Sequence, residues 1–209
     1  MATGVTSTKL VGRSLELAQL QAALEDAAGG QPSLAFVVGE SGVGKSRLVA
    51  ELQARSGEAG TRVLRGDCVE LGEGELAYAP LVTALRPLAR DRDPVFAGLP
   101  ADARDALATL LPGLGDGGRA RAGTGDQAQV FEALLAVLDG LARAAPVLLV
   151  IEDLHWADAS TRAFLRFLAA GLADEPLLVV ATYRPDELHR RHPLRPLLAE
   201  LERSPDQLG

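Results

Sequence analysis

A three-layer α/β/α fold, with a mainly parallel sheet between two layers of helices, is predicted by three observations. Short apolar runs at residues 34–38, 147–151 and 177–181 alternate with segments whose leucines recur at helical spacing, the pattern of strands buried on both faces and joined by helical crossovers. The first run passes directly into Gly39-Glu40-Ser41-Gly42-Val43-Gly44-Lys45-Ser46, a glycine-rich turn opening a helix. The second ends on two adjacent carboxylates, Glu152 and Asp153, at the strand end where open parallel sheets bind their ligands.

Local chemistry justifies each element in turn. Residues 1–10 read as a loose polar arm, after which Ser14 is placed to cap a helix carrying Leu17, Leu20 and Leu24 on one face and ending at Gly29-Gly30. Residues 1–30 therefore form an N-terminal arm and helix, and residues 31–209 the core. The strand at 34–38 is bounded by Pro32 and Gly39, and a helix over 45–56 follows, with Leu48, Val49 and Leu52 facing inward. A second strand at 61–66 completes a strand–helix–strand unit, which demands a parallel crossover.

Residues 79–90 carry Leu81, Leu85 and Leu88 at helical spacing, with Pro87 expected to kink or end the helix. The stretch 91–125 is an irregular insertion: a helix over 102–111 runs into Pro112 and a glycine-rich segment, and a mobile surface loop is expected there. A strong helix is predicted over 126–144, with Val130, Phe131, Leu134, Leu135, Leu138 and Leu141 facing the core and Pro146 stopping it. The strand at 147–151, a helix over 159–172 and the strand at 177–181 complete the alternation, and no internal repeat interrupts it.

Composition narrows the function classes. At 209 residues, the chain suits one α/β domain with an N-terminal extension. A net charge of −7 argues against a general nucleic-acid surface. Cys68 is the only cysteine, which excludes an internal disulfide framework and fits a reducing compartment. No apolar run is long enough to span a membrane and no apolar signal core opens the chain, so a cytoplasmic location is expected.

The residues 39–46 match the pattern G-x-x-x-x-G-K-S. Its glycines let backbone N–H groups turn inward around phosphates, the following helix N-terminus favours anions, and Lys45 reaches the terminal phosphates of a nucleoside triphosphate. Lys45 is one of two lysines in a chain with nineteen arginines, and a compact ammonium suits a tight cradle better than a guanidinium fork. Ser46 would place its hydroxyl on a magnesium ion.

Of the pair Glu152 and Asp153, one is expected to hold magnesium and the other to orient the attacking water; spacing leaves the assignment open, and a solvated turn or helix cap is the rival. Arg184 follows the 177–181 strand, which should lie beside the first, and either senses the γ-phosphate or is a surface arginine preceding Pro185.

Other conspicuous residues read as structural. His155 and Trp156 are expected to pack the strand–helix junction, and Asp158 to cap the helix after it. His189 and His192 lie among Arg190, Arg191 and Arg195; this cluster is expected to be a solvated helix end, with a nucleic acid or partner surface as the alternative. Cys68 reads as a core thiol. No histidine and cysteine spacing suggests zinc.

Taken together, Val11-Gly12-Arg13, the 39–46 loop with Arg47-Leu48 after it, Glu152-Asp153-Leu154-His155-Trp156-Ala157-Asp158 and Thr182-Tyr183-Arg184-Pro185 resemble the AAA-type ATPase module of the STAND class of P-loop NTPases. The chain is most similar there to the large ATP-binding regulators of the LuxR type, over residues 11 to about 201. The phosphate loop (Walker A) is shared by many families, whereas the segment after the acidic strand (Walker B) is much more specific to this group.

The resemblance implies a switch in which ATP and magnesium hold an active, self-associating state, slow hydrolysis to ADP resets it, and DNA is bound only through other domains. It implies that Val11, Gly12 and Arg13 lie near the adenine, and that Gly39, Glu40, Ser41, Gly42, Val43, Gly44, Lys45, Ser46 and Arg47 line the nucleotide. Ser46 and Glu152 hold magnesium in this scheme, Asp153 orients water, and Arg184 is the sensor arginine.

Two departures stand out against the family pattern. Glu152 occupies a position that is often Asp. The chain is expected to end before the fifth strand, the lid and any helix-turn-helix, as a truncated module with weakened nucleotide affinity. Three rivals to the switch are a non-catalytic, nucleotide-holding oligomerisation module, an AAA module attached to a nucleotide cyclase, and a small-molecule phosphotransferase. The phosphate loop permits the last, but no evident acceptor-binding lid supports it.

Overall fold

The computed structural model describes residues 13–70, 76–114 and 127–201. Val11, Gly12, the polar arm, Asp126 and the glycine-rich part of the insertion lie outside the described residues. Helix α1 (Ser14–Ala28) buries Leu17, Leu20, Ala23, Leu24 and Ala27 along one face. Its start departs from expectation: Ser14 is the first helical residue, Arg13 holds the cap position, and no side chain caps the end. The Ser14 hydroxyl stands one residue too late to meet the first free N–H groups. The predicted stop does occur, with Gly29 at the C-cap and Gly30 at φ +85°.

The predicted strands and crossovers are all present. β1 (Ser33–Val38) leads through the glycine loop into α2 (Lys45–Glu58), and β2 (Arg62–Asp67) follows. β3 (Val147–Glu152), α7 (Ala159–Gly171) and β4 (Leu177–Tyr183) close the sheet. All pairings are parallel, in the order β1-β4-β3-β2, so β4 does lie beside β1. The sheet and its flanking helices form the three-layer P-loop NTPase fold. β4 runs two residues further than its apolar stretch because Thr182 and Tyr183 continue the pairing with Val37 and Val38.

Strand side chains alternate between two cores. Ala35, Val37, Leu148, Val150, Leu178 and Val180 pack with α1 and α2 on one face. Leu34, Leu64, Leu149, Ile151, Val179 and Ala181 pack on the other face with α3 (Ala79–Arg90), α6 (Gln127–Ala142) and α7.

This second layer holds the differences from expectation. Pro87 does not end α3, which continues to Arg90. Pro87 faces solvent in the helix's last turn, where water can satisfy the carbonyl that its missing N–H leaves free. Residues 91–114, read as irregular, contain α4 (Pro94–Ala97), α5 (Ala101–Ala108) and a 3₁₀ turn (Pro112–Leu114). Phe96, Leu99, Ala106, Leu107 and Leu111 enter the core from this stretch.

Helix α8 (Leu194–Leu201) was not predicted, although Leu194, Leu197, Leu198 and Leu201 bury one face. Pro193 and Pro196 obscured its period, yet proline is tolerated in a first helical turn. Among the described residues no helix is long and apolar enough to cross a membrane.

Gly66 reports how closely β2 and α3 approach. A Cβ there would lie 1.9 Å from the Pro80 carbonyl oxygen, a backbone atom that cannot move alone. Gly66→Ala should therefore cost roughly 3 kcal/mol of stability, read as a lowered urea midpoint.

Candidate functional site

The parallel register brings the carboxyl ends of three strands level. Val38 pairs with Tyr183, Val37 with Thr182, and Ile151 with Ala181. The glycine loop, Glu152-Asp153 and Arg184 consequently emerge side by side. In the loop, Gly42 and Gly44 have φ of +77° and +92°, left-handed values that favour glycine. A Cβ on Gly39 would lie 2.7 Å from Val43 Cγ1. No side chain caps the first turn of α2, with Gly44 at its cap position, so those amides remain directed at the loop.

Lys45 is only 7% exposed. Its Nζ donates to the Gly39 and Glu40 carbonyls at 2.6 and 2.8 Å, leaving one of three donors for another acceptor. Burial pushes its pKa down, and Arg184 and Arg13 act in the same direction while Asp153 and Asp186 oppose them. These side chains from four separate segments thus share one electrostatic neighbourhood. Left-handed glycines, uncapped amides and a buried ammonium together fit a polyphosphate.

Glu152 belongs to the alternate set of β3 that faces α2, and is 3% exposed. Arg65 of β2 pairs with it, Nη2 to Oε1 at 2.9 Å, and also pairs with Asp67 at 3.1 Å. Asp153 leaves the strand at φ +54°. Its N–H donates to Thr182 Oγ1 at 2.9 Å and its carbonyl accepts from Trp156 N–H at 2.8 Å. Its carboxylate is the more accessible of the two acids, with Arg184 Nε 3.8 Å from Oδ1 and Arg184 Nη1 3.7 Å from Glu187.

Ser46 is exposed on the first turn of α2. Among the described residues no group of three His, Cys, Asp or Glu side chains could hold a metal. A magnesium site completed by phosphate and water requires only one or two protein oxygens; the candidates are Ser46, exposed at the loop, and Glu152, buried at the strand end and paired with Arg65.

The structure thus brings Lys45, Asp153 and Arg184 together beside the loop, with Glu152 at the adjoining strand end; Arg13, ahead of α1, is the smallest of the charges acting on Lys45. Glu40, Ser41, Val43 and Arg47 lie on its exposed rim. Two partners escaped the sequence reading: Arg65, which neutralises Glu152, and Thr182, which anchors Asp153. Both partnerships follow from strand register, which pairs Asp67 with Glu152 and Ile151 with Ala181.

Asp158 and Trp156 behave structurally, as expected. Asp158 caps α7, accepting from Thr161 N–H at 2.9 Å, and the same oxygen accepts from Tyr78 N–H at 3.1 Å. Trp156 packs against the core, its ring 5.2 Å from that of His155. His192 accepts from Leu194 N–H, and Arg195 donates to the Leu188 and His189 carbonyls. Much of the basic cluster is knitted into its own turn.

The AAA ATPase domain family model matches residues 9–180. An uncharacterised protein of Rhizobium meliloti (strain 1021) is 27% identical over 199 residues, covering 84% of this chain. The chain spans 18% of that relative's length.

Cys68 is 3% exposed, and burial, followed by Asp158, Asp153 and Asp67, pushes its thiol pKa up to about 12. At pH 8 only about one molecule in ten thousand would carry the thiolate. A thiol-reactive chromophore should therefore label native protein orders of magnitude more slowly than urea-unfolded protein.

Proposed function

The chain belongs to the AAA ATPase domain family, a nucleotide-binding ATPase family, and from that premise we propose that it is a magnesium-dependent, slowly hydrolysing ATP switch of a large regulator of the STAND class and LuxR type. The observation that carries this reading is the convergence of Lys45, Asp153 and Arg184 beside the left-handed glycines of the loop. The segment Glu152 to Asp158 supports the regulator assignment by its resemblance to that group. A relative whose length lies mostly outside the match supports a module of a larger protein. A cytoplasmic location, self-association in the ATP state and DNA contact through other domains belong to the same proposal.

In this mechanism the loop amides and the α2 N-terminus hold the phosphates of the substrate, and Lys45 spends its remaining donor on the terminal ones. The family resemblance, rather than any described contact, is what assigns Val11, Gly12 and Arg13 to the adenine. Asp153 accepts a hydrogen bond from the attacking water and orients it, while Arg184 stabilises charge on the γ-phosphate. Ser46 and Glu152 would hold magnesium, which neutralises phosphate charge. The pairing of Glu152 with Arg65 and of Asp153 with Arg184 favours slow turnover, because both acids are already engaged by cations. It equally supports the rival reading of a non-catalytic, ADP-holding module, for which co-purified nucleotide without measurable turnover is the signature.

Lys45→Ala should weaken ATP binding by about a hundredfold or more in calorimetry, the loss expected of a charge-assisted contact. An unchanged affinity would remove the loop from the site. Asp153→Ala should retain ATP binding while phosphate release falls by about a hundredfold or more, and wild-type turnover would take Asp153 out of the mechanism.

A further inference from the structure

His155 combines deep burial with two unpaired ring nitrogens. The residue is 3% exposed, and neither Nδ1 nor Nε2 has a hydrogen-bond partner among the described residues. Buried polar groups left in this state are uncommon and ask for an explanation. Burial pushes the imidazole pKa down even though Asp153 pulls it up, so the ring is neutral and carries one N–H.

The geometry supplies the missing acceptor. His155 Nε2 stands 3.9 Å from Asp153 Oδ1, and Arg184 Nε, also buried and unpaired, stands 3.8 Å from that same oxygen. Two donors therefore flank one carboxylate oxygen, each about 1 Å beyond hydrogen-bond distance. The Asp153 backbone is anchored on both sides by Thr182 and Trp156, whereas a carboxylate torsion is soft. A small turn of that group brings Oδ1 onto one donor or the other.

We propose that His155 is a positioning residue for hydrolysis: its Nε2–H takes up the Asp153 carboxylate when Arg184 turns to the γ-phosphate, so Asp153 keeps a fixed orientation toward water. This rests on the assignment of Asp153 as the water-orienting acid. The ring packs against Trp156, with ring centroids 5.2 Å apart.

Two measurements test it. In steady-state kinetics, His155→Leu should lower kcat about tenfold or more with KM and calorimetric ATP affinity unchanged, and His155→Gln should recover to within roughly threefold of wild type, its amide N–H standing in for Nε2–H. In nucleotide-free protein, Arg184→Ala should move the His155 ring N–H proton resonance downfield as the ring captures Asp153. That readout uses the native ring and stands even if His155→Leu fails to fold.

Wild-type kcat in His155→Leu, equal impairment of the Leu and Gln variants, or a ring resonance indifferent to Arg184→Ala would overturn the proposal. If Asp153→Ala itself turns over normally, the premise fails. An inactive Asp153→Ala beside a fully active His155→Leu sinks the role of His155 alone.

Discussion

Parallel insertion of β4 between β1 and β3 sets Asp153 and Arg184 beside the glycine loop at the working edge of the sheet. Through it Val38 stands opposite Tyr183, the Gly39 N–H reaches the Tyr183 carbonyl at 3.4 Å, and the Asp153 N–H reaches Thr182 Oγ1. Side chains alternate faces with a period of two, so a one-residue slip of β4 would turn Thr182 away from Asp153 and withdraw Arg184 from Lys45. The slip is resisted because both faces of β4 are buried: Leu177, Val179 and Ala181 serve one core, Leu178 and Val180 the other. Packing energy is thus converted into electrostatic precision.

The charges at this edge form interlocking pairs. Glu152 is almost wholly buried and depends on Arg65, since an uncompensated carboxylate at that depth carries a heavy desolvation penalty. Asp153 and Arg184 are partly solvated and separated by 3.8 Å, so their attraction is weak and easily redistributed. A tight pair thereby frames the site while a loose one remains adjustable within it. This division suits a switch, in which the strand ends stay fixed and only side chains near the loop exchange partners.

The distal helical layer supports this edge from below. Asp158 joins the start of α7 to the left-handed Tyr78 ahead of α3. Residues 91–114 contribute buried side chains to the same layer instead of looping free. The helix expected over 102–111 is α5, whereas α4 and the 3₁₀ turn span too few residues to show a period, and the burial of this stretch depends on α6, which follows later in the chain.

The sequence by itself determined what depends on residues a few positions apart. Continuous apolar runs specified doubly buried strands, the spacing of Gly39, Gly44, Lys45 and Ser46 specified the loop, and Asp158 before Ala159 specified a cap; each requires only local conformation. The true start of α1, the persistence of α3 through Pro87 and the existence of α8 needed the burial around them. Only the tertiary structure paired Arg65 with Glu152, Thr182 with Asp153, and His155 and Arg184 with a single carboxylate oxygen. Most of those contacts cross between strands distant in sequence, and the order and register that join such strands arise from the packing of the whole sheet.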